Sequence, residues 1–261
     1  MSMTETWFTT HGDSSDPALL CLHGIGSCAD AFRAQLSLAD RARRRVVAWD
    51  APGYRRSPDP PALMGLDDWA DAAAELIERE LGGCADLLGV SWGGVIAARL
   101  VLRHPELVRT LVLADSSVGA GTNPDRATAM RGRADELRRV GAARFSETRA
   151  PHLVSPDAPP ELVRSVAEMM AASIRLPGYG WACESMAATD HRPDLGGVTV
   201  PTLVLVGEHD VVTPARRAHE LASLIPHSEL ATVAGAGHLA NQERPVVFND
   251  LIEIFLKGHQ P

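Results

Sequence analysis

The sequence has few cysteines and no excess of positive charge. Its four cysteines include no C-x-x-C pair. Neither a disulfide framework nor a cysteine-rich metal site is therefore predicted, and free thiols favour a cytoplasmic location. The formal net charge is −8, whereas binding to nucleic acid or to an anionic membrane surface needs clustered positive charge. Neither kind of partner is expected.

Long apolar runs are also missing. No run approaches the roughly 20 residues that a membrane-spanning helix needs. The start, M-S-M-T-E-T-W, lacks the basic and apolar regions of a secretory signal, so we expect no signal peptide. What is present is 45% apolar residues in a chain of 261, which is enough for one large α/β domain with a sizeable core.

Short apolar runs alternate with stretches of helical periodicity. The runs are continuously apolar, as in strands that are buried on both faces of a parallel sheet. Six strands are predicted, and they begin at Ala18, Arg45, Ala85, Arg109, Thr202 and Glu229. The clearest helical pattern runs from Leu66 to Leu81, others follow Ser91 and Pro214, and another covers Pro245 to Leu256. This alternation predicts an α/β fold with a mostly parallel, doubly wound sheet.

The alternation stops between about Ser117 and Leu195. This segment is rich in Ala and Arg, contains four prolines between positions 151 and 160, and has no strand candidate. It predicts a helical cap, residues 118–195, inserted after the strand that ends near Asp115, with the core formed by residues 1–117 and 196–261. The segment contains 10 arginines and 10 acidic residues, so the rest of the chain carries the whole net charge.

The motif G-V-S-W-G at residues 89–93 follows an apolar strand and precedes a helix. A serine at such a sharp turn is exposed above the sheet, and glycines on both sides remove side chains that would collide with the turn. The other interpretation is a serine that caps the following helix. A cap alone does not need both glycines, so the motif favours Ser91 as a nucleophile.

A serine nucleophile needs a base, and the base needs an orienting acid. On a sheet of this kind the three groups follow in the order Ser, acid, His. Asp210 comes directly after the strand that begins at Thr202, and His238 lies in a glycine-rich loop after the last strand. Asp115 also follows a strand and is the second candidate for the acid.

An oxyanion needs donors that are already in place. The backbone N–H of Trp92 comes directly after the nucleophile. The second donor is predicted to be the N–H of Ile25, in the loop L-H-G-I-G-S after the first long strand. His23 precedes the glycine turn of that loop, and we interpret it as a residue that supports the loop.

Several motifs together resemble the α/β-hydrolase superfamily over nearly the whole chain. They are H-G-I-G, D-A-P-G-Y-R-R-S, G-V-S-W-G-G, G-E-H-D and G-A-G-H. The stretches that start at Ala143 and Gly178 are most similar to the 3-oxoadipate enol-lactonase branch. Two departures are Arg55, where similar proteins have glycine, and Trp92, where methionine is more usual. The resemblance implies a serine hydrolase that cleaves an ester or lactone without cofactor or metal.

Three other interpretations stay open. The stretch G-I-G-S-C-A at 24–29, with Asp50 at the end of the next strand, has the outline of a dinucleotide site of an oxidoreductase. Hydrolases that cleave a carbon–carbon bond of a vinylogous diketone keep the same triad. A binding protein on this fold would lack a triad residue, and none is missing. The expected partner is a small-molecule substrate, and a homo-oligomer stays open.

The cap arginines bear on the substrate, because an acidic protein repels an anion unless local arginines offset the field. The resemblance implies a substrate that carries a carboxylate, which an arginine fork binds with two hydrogen bonds. The proposed substrate-binding residues are Arg131, Arg133, Met169 and Trp181, and further arginine candidates are Arg144, Arg149 and Arg175. The alternative is that these arginines pair with acidic residues on solvated helix faces.

Overall fold

The computed structural model describes residues 6–259, and its centre is a seven-stranded sheet. The strands are β1 Phe8–His11, β2 Ala18–Leu22, β3 Arg45–Trp49, β4 Ala85–Val90, β5 Val108–Ala114, β6 Thr202–Gly207 and β7 Glu229–Val233. Their order is β1-β3-β2-β4-β5-β6-β7, with β1 antiparallel and all other neighbours parallel. The six predicted strands and the mostly parallel sheet are confirmed, and β1 is an additional edge strand. The expectation that the chain has no signal peptide concerned its first residues, and residues 1–5 lie outside the described part of the structure.

Helices cover both faces of the sheet, as its continuously apolar strands require. The α-helices are α1 Leu38–Ala42, α2 Leu66–Glu80, α3 Trp92–Arg103, α4 Pro124–Arg149, α5 Pro160–Ser173, α6 Gly178–Ala188, α7 Ala215–Leu224, α8 Ala240–Glu243 and α9 Pro245–Gly258. Short 3₁₀ helices cover Ala29–Ser37, Pro105–Leu107, Ala150–His152 and Leu195–Gly197. None of the helices within residues 6–259 has the length and apolar character that crossing a membrane demands.

The strands divide their side chains between two apolar clusters. Along β2, Leu20 and Leu22 belong to a cluster that also contains residues of α2, α3 and α7, whereas Leu19 and Cys21 belong to a cluster with residues of α1 and α9. This alternation follows from the two-residue period of a strand. The inner strands β2 to β6 are therefore packed on both faces, and their carboxyl ends are held at one edge of the sheet, whereas the edge strands β1 and β7 are mostly exposed or half-buried.

The segment between β5 and β6, which we call the cap segment (residues 118–195), contains helices and no strand in the structure. Its two connections to the sheet lie side by side. Ala120 N–H donates to Met186 O and Gly121 N–H to Thr189 O, each at 2.9 Å. A Cβ at Gly119 would lie 2.2 Å from Thr189 O, so the contact requires glycine. These contacts hold the two ends of the cap segment together above the carboxyl edge of the sheet.

Candidate active site

Ser91 occupies the one-residue turn between β4 and α3. Its φ of 56° and ψ of −117° lie in a region that favours glycine. A Cβ at Gly89 would lie 2.5 Å from Gly93 O, and a Cβ at Gly93 would lie 2.0 Å from Leu22 O. Both glycines are therefore required by close backbone contacts. The Ser91 side chain makes no capping hydrogen bond to α3, so the capping interpretation has no support in the geometry.

Three side chains form a hydrogen-bonded chain at the carboxyl edge of the sheet. Ser91 Oγ lies 3.0 Å from His238 Nε2, and His238 Nδ1 lies 2.9 Å from Asp210 Oδ2. A carboxylate only accepts, so Nδ1 carries the proton and Nε2 is free to accept the serine hydroxyl. The imidazole and the carboxylate are both buried. The structure thus brings together the three residues predicted as nucleophile, base and acid.

Further donors fix the Asp210 carboxylate. Its Oδ1 accepts the N–H groups of Val212 and Thr213, each at 2.8 Å, and its Oδ2 accepts the Thr213 hydroxyl at 2.6 Å. Burial raises the pKa of Asp210, but the His238 charge and these hydrogen bonds outweigh burial and lower the pKa below the usual value. The carboxylate is therefore ionised at neutral pH.

The same pair sets the pKa of His238. Burial lowers it, because the imidazolium loses its solvent, but the charge and the hydrogen bond of Asp210 outweigh burial and raise the pKa above 6.5. The charge of Asp115 also raises this pKa, whereas the charge of Arg133 lowers it. The pKa of the His238 imidazole therefore responds to charges in both the core and the cap segment.

Asp115, the second candidate for the acid, has a different position. Its fully buried carboxylate accepts the N–H groups of Gly207 at 2.8 Å and Ala240 at 3.2 Å. Burial raises its pKa to about 7. It joins the end of β6, before Asp210, to the start of α8, after His238, whereas Asp210 itself contacts the imidazole. The geometry therefore favours Asp210 as the acid.

The loop after β2 lies against Ser91. A Cβ at Gly24 would be 3.3 Å from Ser91 Cβ, and the Tyr54 hydroxyl fixes the next residue by donating to Ile25 O at 2.9 Å. Among the backbone hydrogen bonds of residues 6–259 that lie outside regular helices and strands, none is donated by the N–H of Ile25 or the N–H of Trp92. Both residues line the cavity above Ser91.

His23 supports this loop, as expected. Its Nδ1 donates to Gly24 O at 2.8 Å, and its Nε2 accepts the Ala51 N–H at 3.0 Å. Burial lowers its pKa, so the ring is neutral and both nitrogens are engaged. Neither nitrogen is free to act as a second base.

The Trp92 indole points into the core. It is fully buried, packs edge-to-face on Trp69 with centroids 4.9 Å apart, and donates from Nε1 to Ser185 Oγ at 3.2 Å. Since Ser185 belongs to α6, this bond ties the turn that carries Ser91 to the cap segment. The side chain that departs from the related motifs thus links two parts of the fold.

The dinucleotide interpretation of residues 24–29 has no support in the geometry. Asp50 accepts the Ala29 N–H at 2.8 Å and Arg56 Nε at 2.6 Å. Its carboxylate is therefore already bound to protein donors. The glycine loop leads into a 3₁₀ helix and lies against Ser91, so it contributes to the serine site.

A cavity of about 220 Å³ lies above Ser91 and His238, between the sheet and the cap segment. Its walls include the methionines Met130, Met169, Met170 and Met186. They also include four arginines, Arg126, Arg133, Arg149 and Arg217, and among the described residues no Asp or Glu lines the cavity. The space suits a small, partly apolar molecule with negative charge.

The structure separates the predicted substrate-binding residues. Arg133 and Met169 line the cavity. Arg131 does not, because its guanidinium pairs with Glu184 at 2.8 Å on the exposed surface. Trp181 packs against the large apolar cluster and is not among the lining residues.

The other arginine candidates also divide. Arg149 lines the cavity. Arg144 is exposed beside Glu147, and Arg175 binds Asp59 and the Ser57 carbonyl. Arg144 and Arg175 therefore follow the alternative of pairing on the surface.

Arg126, Tyr179 and Arg217 also line the cavity, although the sequence motifs did not point to them. One signal was available in α4. Arg126, Met130 and Arg133 are spaced i, i+4, i+7 and share one face of the helix, whereas Arg131 lies on another face. No comparable signal identifies Tyr179 or Arg217.

Comparison with known proteins defines the class. Residues 17–245 match the family model of the alpha/beta hydrolase fold, and the chain belongs to this family.

Three relatives narrow the comparison. The chain is 27% identical to 3-oxoadipate enol-lactonase 2 of Acinetobacter baylyi, over 96% of this chain and 92% of that protein. It is 28% identical to 2-hydroxymuconate semialdehyde hydrolase of a Pseudomonas species, over 94% and 89%. A malate-bound thermophilic esterase from Thermogutta terrifontis superposes with a TM-score of 0.86, 26% identity and coverage of 98% and 94%. The resemblance noted in the sequence is confirmed at the level of the family and its hydrolytic enzymes.

Proposed function

We propose that this protein is a cofactor-independent serine hydrolase that cleaves a carboxylic ester or lactone through an acyl-enzyme. The observation that carries the proposal is the chain Ser91–His238–Asp210, with contacts of 3.0 and 2.9 Å. This is the relation of nucleophile, base and orienting acid that serine catalysis requires. The relatives named as an enol-lactonase and an esterase support the same reaction class.

In the first half-reaction Ser91 Oγ attacks the carbonyl carbon, and His238 Nε2 takes the hydroxyl proton. Asp210 holds the proton on Nδ1 and stabilises the imidazolium that forms. The backbone N–H groups of Ile25 and Trp92 stabilise the negative oxygen. The imidazolium then gives its proton to the leaving oxygen as the carbon–oxygen bond breaks.

In the second half-reaction His238 takes a proton from water, and the hydroxide attacks the acyl-enzyme. Ser91 leaves as its alkoxide and recovers the proton from the imidazolium. An ester gives an acid and an alcohol. A lactone gives a single hydroxy acid, because its leaving oxygen stays attached to the acyl group.

Cleavage of a carbon–carbon bond is the second candidate function. The relative named 2-hydroxymuconate semialdehyde hydrolase favours it, and the same Ser–His–Asp chain serves that reaction. The arginines of the cavity suit a carboxylate on either substrate.

We further propose a cytoplasmic location, which is supported by the four free cysteine thiols.

A panel of short p-nitrophenyl esters, lactones and vinylogous diketones tests the proposal, with Ser91→Ala as the matched control. We expect turnover of esters or lactones that Ser91→Ala abolishes. Cleavage of the diketone alone would move the assignment to carbon–carbon hydrolysis. Turnover of esters that persists in Ser91→Ala would contradict the proposed nucleophile.

A further inference from the structure

The loop between β7 and α8, which carries His238, is in close contact with the cap segment. Directly after His238, the Leu239 N–H donates to Leu153 O at 3.0 Å. Directly before it, a Cβ at Gly237 would lie 2.4 Å from the carbonyl carbon of Val154. The loop and the cap segment therefore pack backbone against backbone, and the space between them at Gly237 does not admit a side chain.

Glu243 joins the same two segments through its carboxylate. Its Oε2 accepts the Gly237 N–H at 2.8 Å and the Ser155 N–H at 3.0 Å, and its Oε1 accepts the Ser155 hydroxyl. Hydrogen bonds to an ionised acceptor are about twice as strong as neutral ones. One carboxylate therefore binds the residue before His238 to the cap segment.

The short helix α8, which ends at Glu243, is itself held by the core. The Ala240 N–H donates to Asp115 Oδ2 at 3.2 Å, and Asn241 Nδ2 donates to Ala31 O at 2.9 Å. Asp115 follows β5, and Ala31 belongs to the 3₁₀ helix after β2. Glu243 therefore reaches the cap segment from a helix that is fixed independently of it.

Glu243 and Ser155 are separate from the reacting groups. Neither is among the described residues that line the cavity, whereas His238 lies 3.0 Å from Ser91 Oγ and 2.9 Å from Asp210 Oδ2. A displacement of about 1 Å in a catalytic group can reduce the rate about 100-fold. An effect of Glu243 on catalysis therefore acts through the position of His238.

We propose that Glu243 is a positioning residue that couples the cap segment to His238. The proposal rests on the proposed serine hydrolysis, in which His238 is the base. Glu243 and Leu239 hold the loop of His238 against residues 153–155, so the imidazole is aligned while this part of the cap segment is docked. When residues 153–155 lift from the core, these contacts break and the base loses its position. The cap segment is thus a support of the base as well as a wall of the cavity.

Two substitutions of Glu243 separate its hydrogen bonds from its charge. Glu243→Gln removes the charge, but its carbonyl oxygen can accept the N–H groups of Gly237 and Ser155, and its amide can donate to the Ser155 hydroxyl. Glu243→Ala leaves these buried groups without their partner. We expect Glu243→Ala to reduce kcat on a neutral p-nitrophenyl ester about 10- to 100-fold with little change in KM. Glu243→Gln should stay within about 3-fold of the wild type.

Ser155→Ala tests the cap side of the contact. It removes one hydrogen bond to Glu243, so kcat should fall about 3-fold. In the Glu243→Ala background the same substitution should have no further effect, because the partner of the hydroxyl is already absent. Additive effects of the two substitutions would contradict a coupling through this contact.

Glu208→Ala is the matched control. The Glu208 carboxylate also accepts a glycine N–H of the loop of His238, that of Gly235 at 2.8 Å. This carboxylate is exposed, so water replaces it, and its bond joins two loops of the core. Glu208→Ala should leave kcat unchanged. An equal fall of kcat in Glu208→Ala and Glu243→Ala would overturn the proposal, as would an equal fall in Glu243→Gln or a wild-type kcat in folded Glu243→Ala.

Titration of His238 by NMR tests the positioning without a substrate. Burial lowers the pKa of His238, whereas the charge and the hydrogen bond of Asp210 raise it; the charge of Asp115 also raises it, and that of Arg133 lowers it. In Glu243→Ala the imidazole should lose part of its contact with Asp210, so its pKa should fall. In Glu243→Gln the pKa should keep the wild-type value, which excludes a direct effect of the Glu243 charge.

The NMR result separates this proposal from the proposed function. If the wild type hydrolyses no ester or lactone but the pKa of His238 falls in Glu243→Ala alone, the reaction assignment fails and the positioning role stands. If esters are hydrolysed but this pKa is unchanged in Glu243→Ala, the positioning role is wrong. If Glu243→Ala does not fold, Ser155→Ala provides the test. A fall in kcat and in the pKa of His238 is then expected, and no change in either would overturn the proposal.

Discussion

The backbone of Ser91 is held in a conformation that a serine rarely adopts. Its φ of 56° and ψ of −117° carry strain, and non-glycine residues in such regions are found mostly at functional sites. The strain places Oγ within 3.0 Å of His238 Nε2. A position whose conformation favours glycine but which carries a hydroxyl is best explained by the chemistry of the hydroxyl.

Two substitutions of Ser91 separate strain from chemistry. Ser91→Ala and Ser91→Gly both remove the hydroxyl, and each should reduce kcat by at least about 10⁴-fold. Only Ser91→Gly also removes the Cβ, so it should be the more stable of the two by about 1 kcal/mol after the entropy cost of glycine. Urea unfolding of both variants measures the difference. Equal stability would mean that the turn is not strained.

The two buried aspartates should differ in their effect on activity. Asp210→Asn removes the acceptor that holds the proton on His238 Nδ1, and the wrong tautomer cost about 10⁴-fold in the serine protease template. Asp115→Asn changes a carboxylate that binds only backbone N–H groups, so its loss should be much smaller. Kinetics of both variants on one ester give the ranking. The opposite ranking would assign the acid to the end of β5.

The pH dependence should follow His238. Its imidazole must be neutral to accept the serine proton, and its pKa is raised above 6.5 because Asp210 outweighs burial. Activity should therefore be lost as the pH falls through a value above 6.5. Arg133→Gln removes a charge that lowers this pKa, so the acid limb should move to higher pH. A profile of kcat/KM for a neutral ester checks both directions, and a shift to lower pH would contradict the assignment.

At the scale of elements, the turn between β4 and α3 depends on backbone contacts that only glycine permits. A Cβ at Gly93 would lie 2.0 Å from the Leu22 carbonyl of the neighbouring strand β2. That oxygen belongs to the backbone at the end of a central strand and has little freedom to move. The position of Ser91 is therefore coupled to β2, the strand that leads into the loop of Ile25.

Gly93→Ala should destabilise the protein by about 3 kcal/mol, at the upper end of the cost of overpacking. Gly132→Ala is the control, because a Cβ at this exposed position in α4 meets nothing within 4 Å. It should stabilise the protein by about 0.5–1 kcal/mol through the loss of glycine entropy. Free energies of unfolding from urea titrations test the contrast, which is absent if both variants change stability alike.

At the scale of the whole molecule, long-range repulsion and short-range attraction compete for an anionic substrate. The net charge of −8 acts over the surface, whereas the cavity arginines act over a few ångströms. Salt screens exposed charges beyond about 10 Å at 0.1 M. The balance between the long-range repulsion and the short-range attraction depends on the whole folded chain and not on any single residue.

The preference for an acid over its methyl ester should therefore depend on salt. We expect the ratio of kcat/KM values to exceed one at low salt and to fall towards one at about 1 M salt, because the screening length falls to about 3 Å there and the short-range arginine contacts are then weakened as well as the long-range repulsion. The methyl ester is the internal control for general effects of salt. A neutral ester that is hydrolysed as well as the acid at all salt concentrations would indicate an apolar cavity without anion capture.

The class of fold, the strands and the chain order of the candidate catalytic groups could be predicted from sequence patterns alone. Continuously apolar runs identify buried strands. The motif G-V-S-W-G marks a turn that needs both glycines because backbone atoms pack closely against it. Asp210 and His238 follow predicted strands, and parallel strands bring their carboxyl ends to one edge of a sheet. Local sequence patterns were therefore sufficient to identify the candidate catalytic residues that lie at the ends of strands.

Which arginines face the cavity and which aspartate contacts His238 became clear from the folded structure. Arg131 and Arg133 lie two residues apart on α4, yet one pairs with Glu184 and the other lines the cavity. Residues two apart on a helix point in different directions, and the packing of α4 against α5 and α6 sets the face that is turned inwards. Asp210 pairs with His238, whereas Asp115 binds backbone N–H groups. These contacts join segments that are far apart in the chain. Local spacing in the sequence does not encode such contacts.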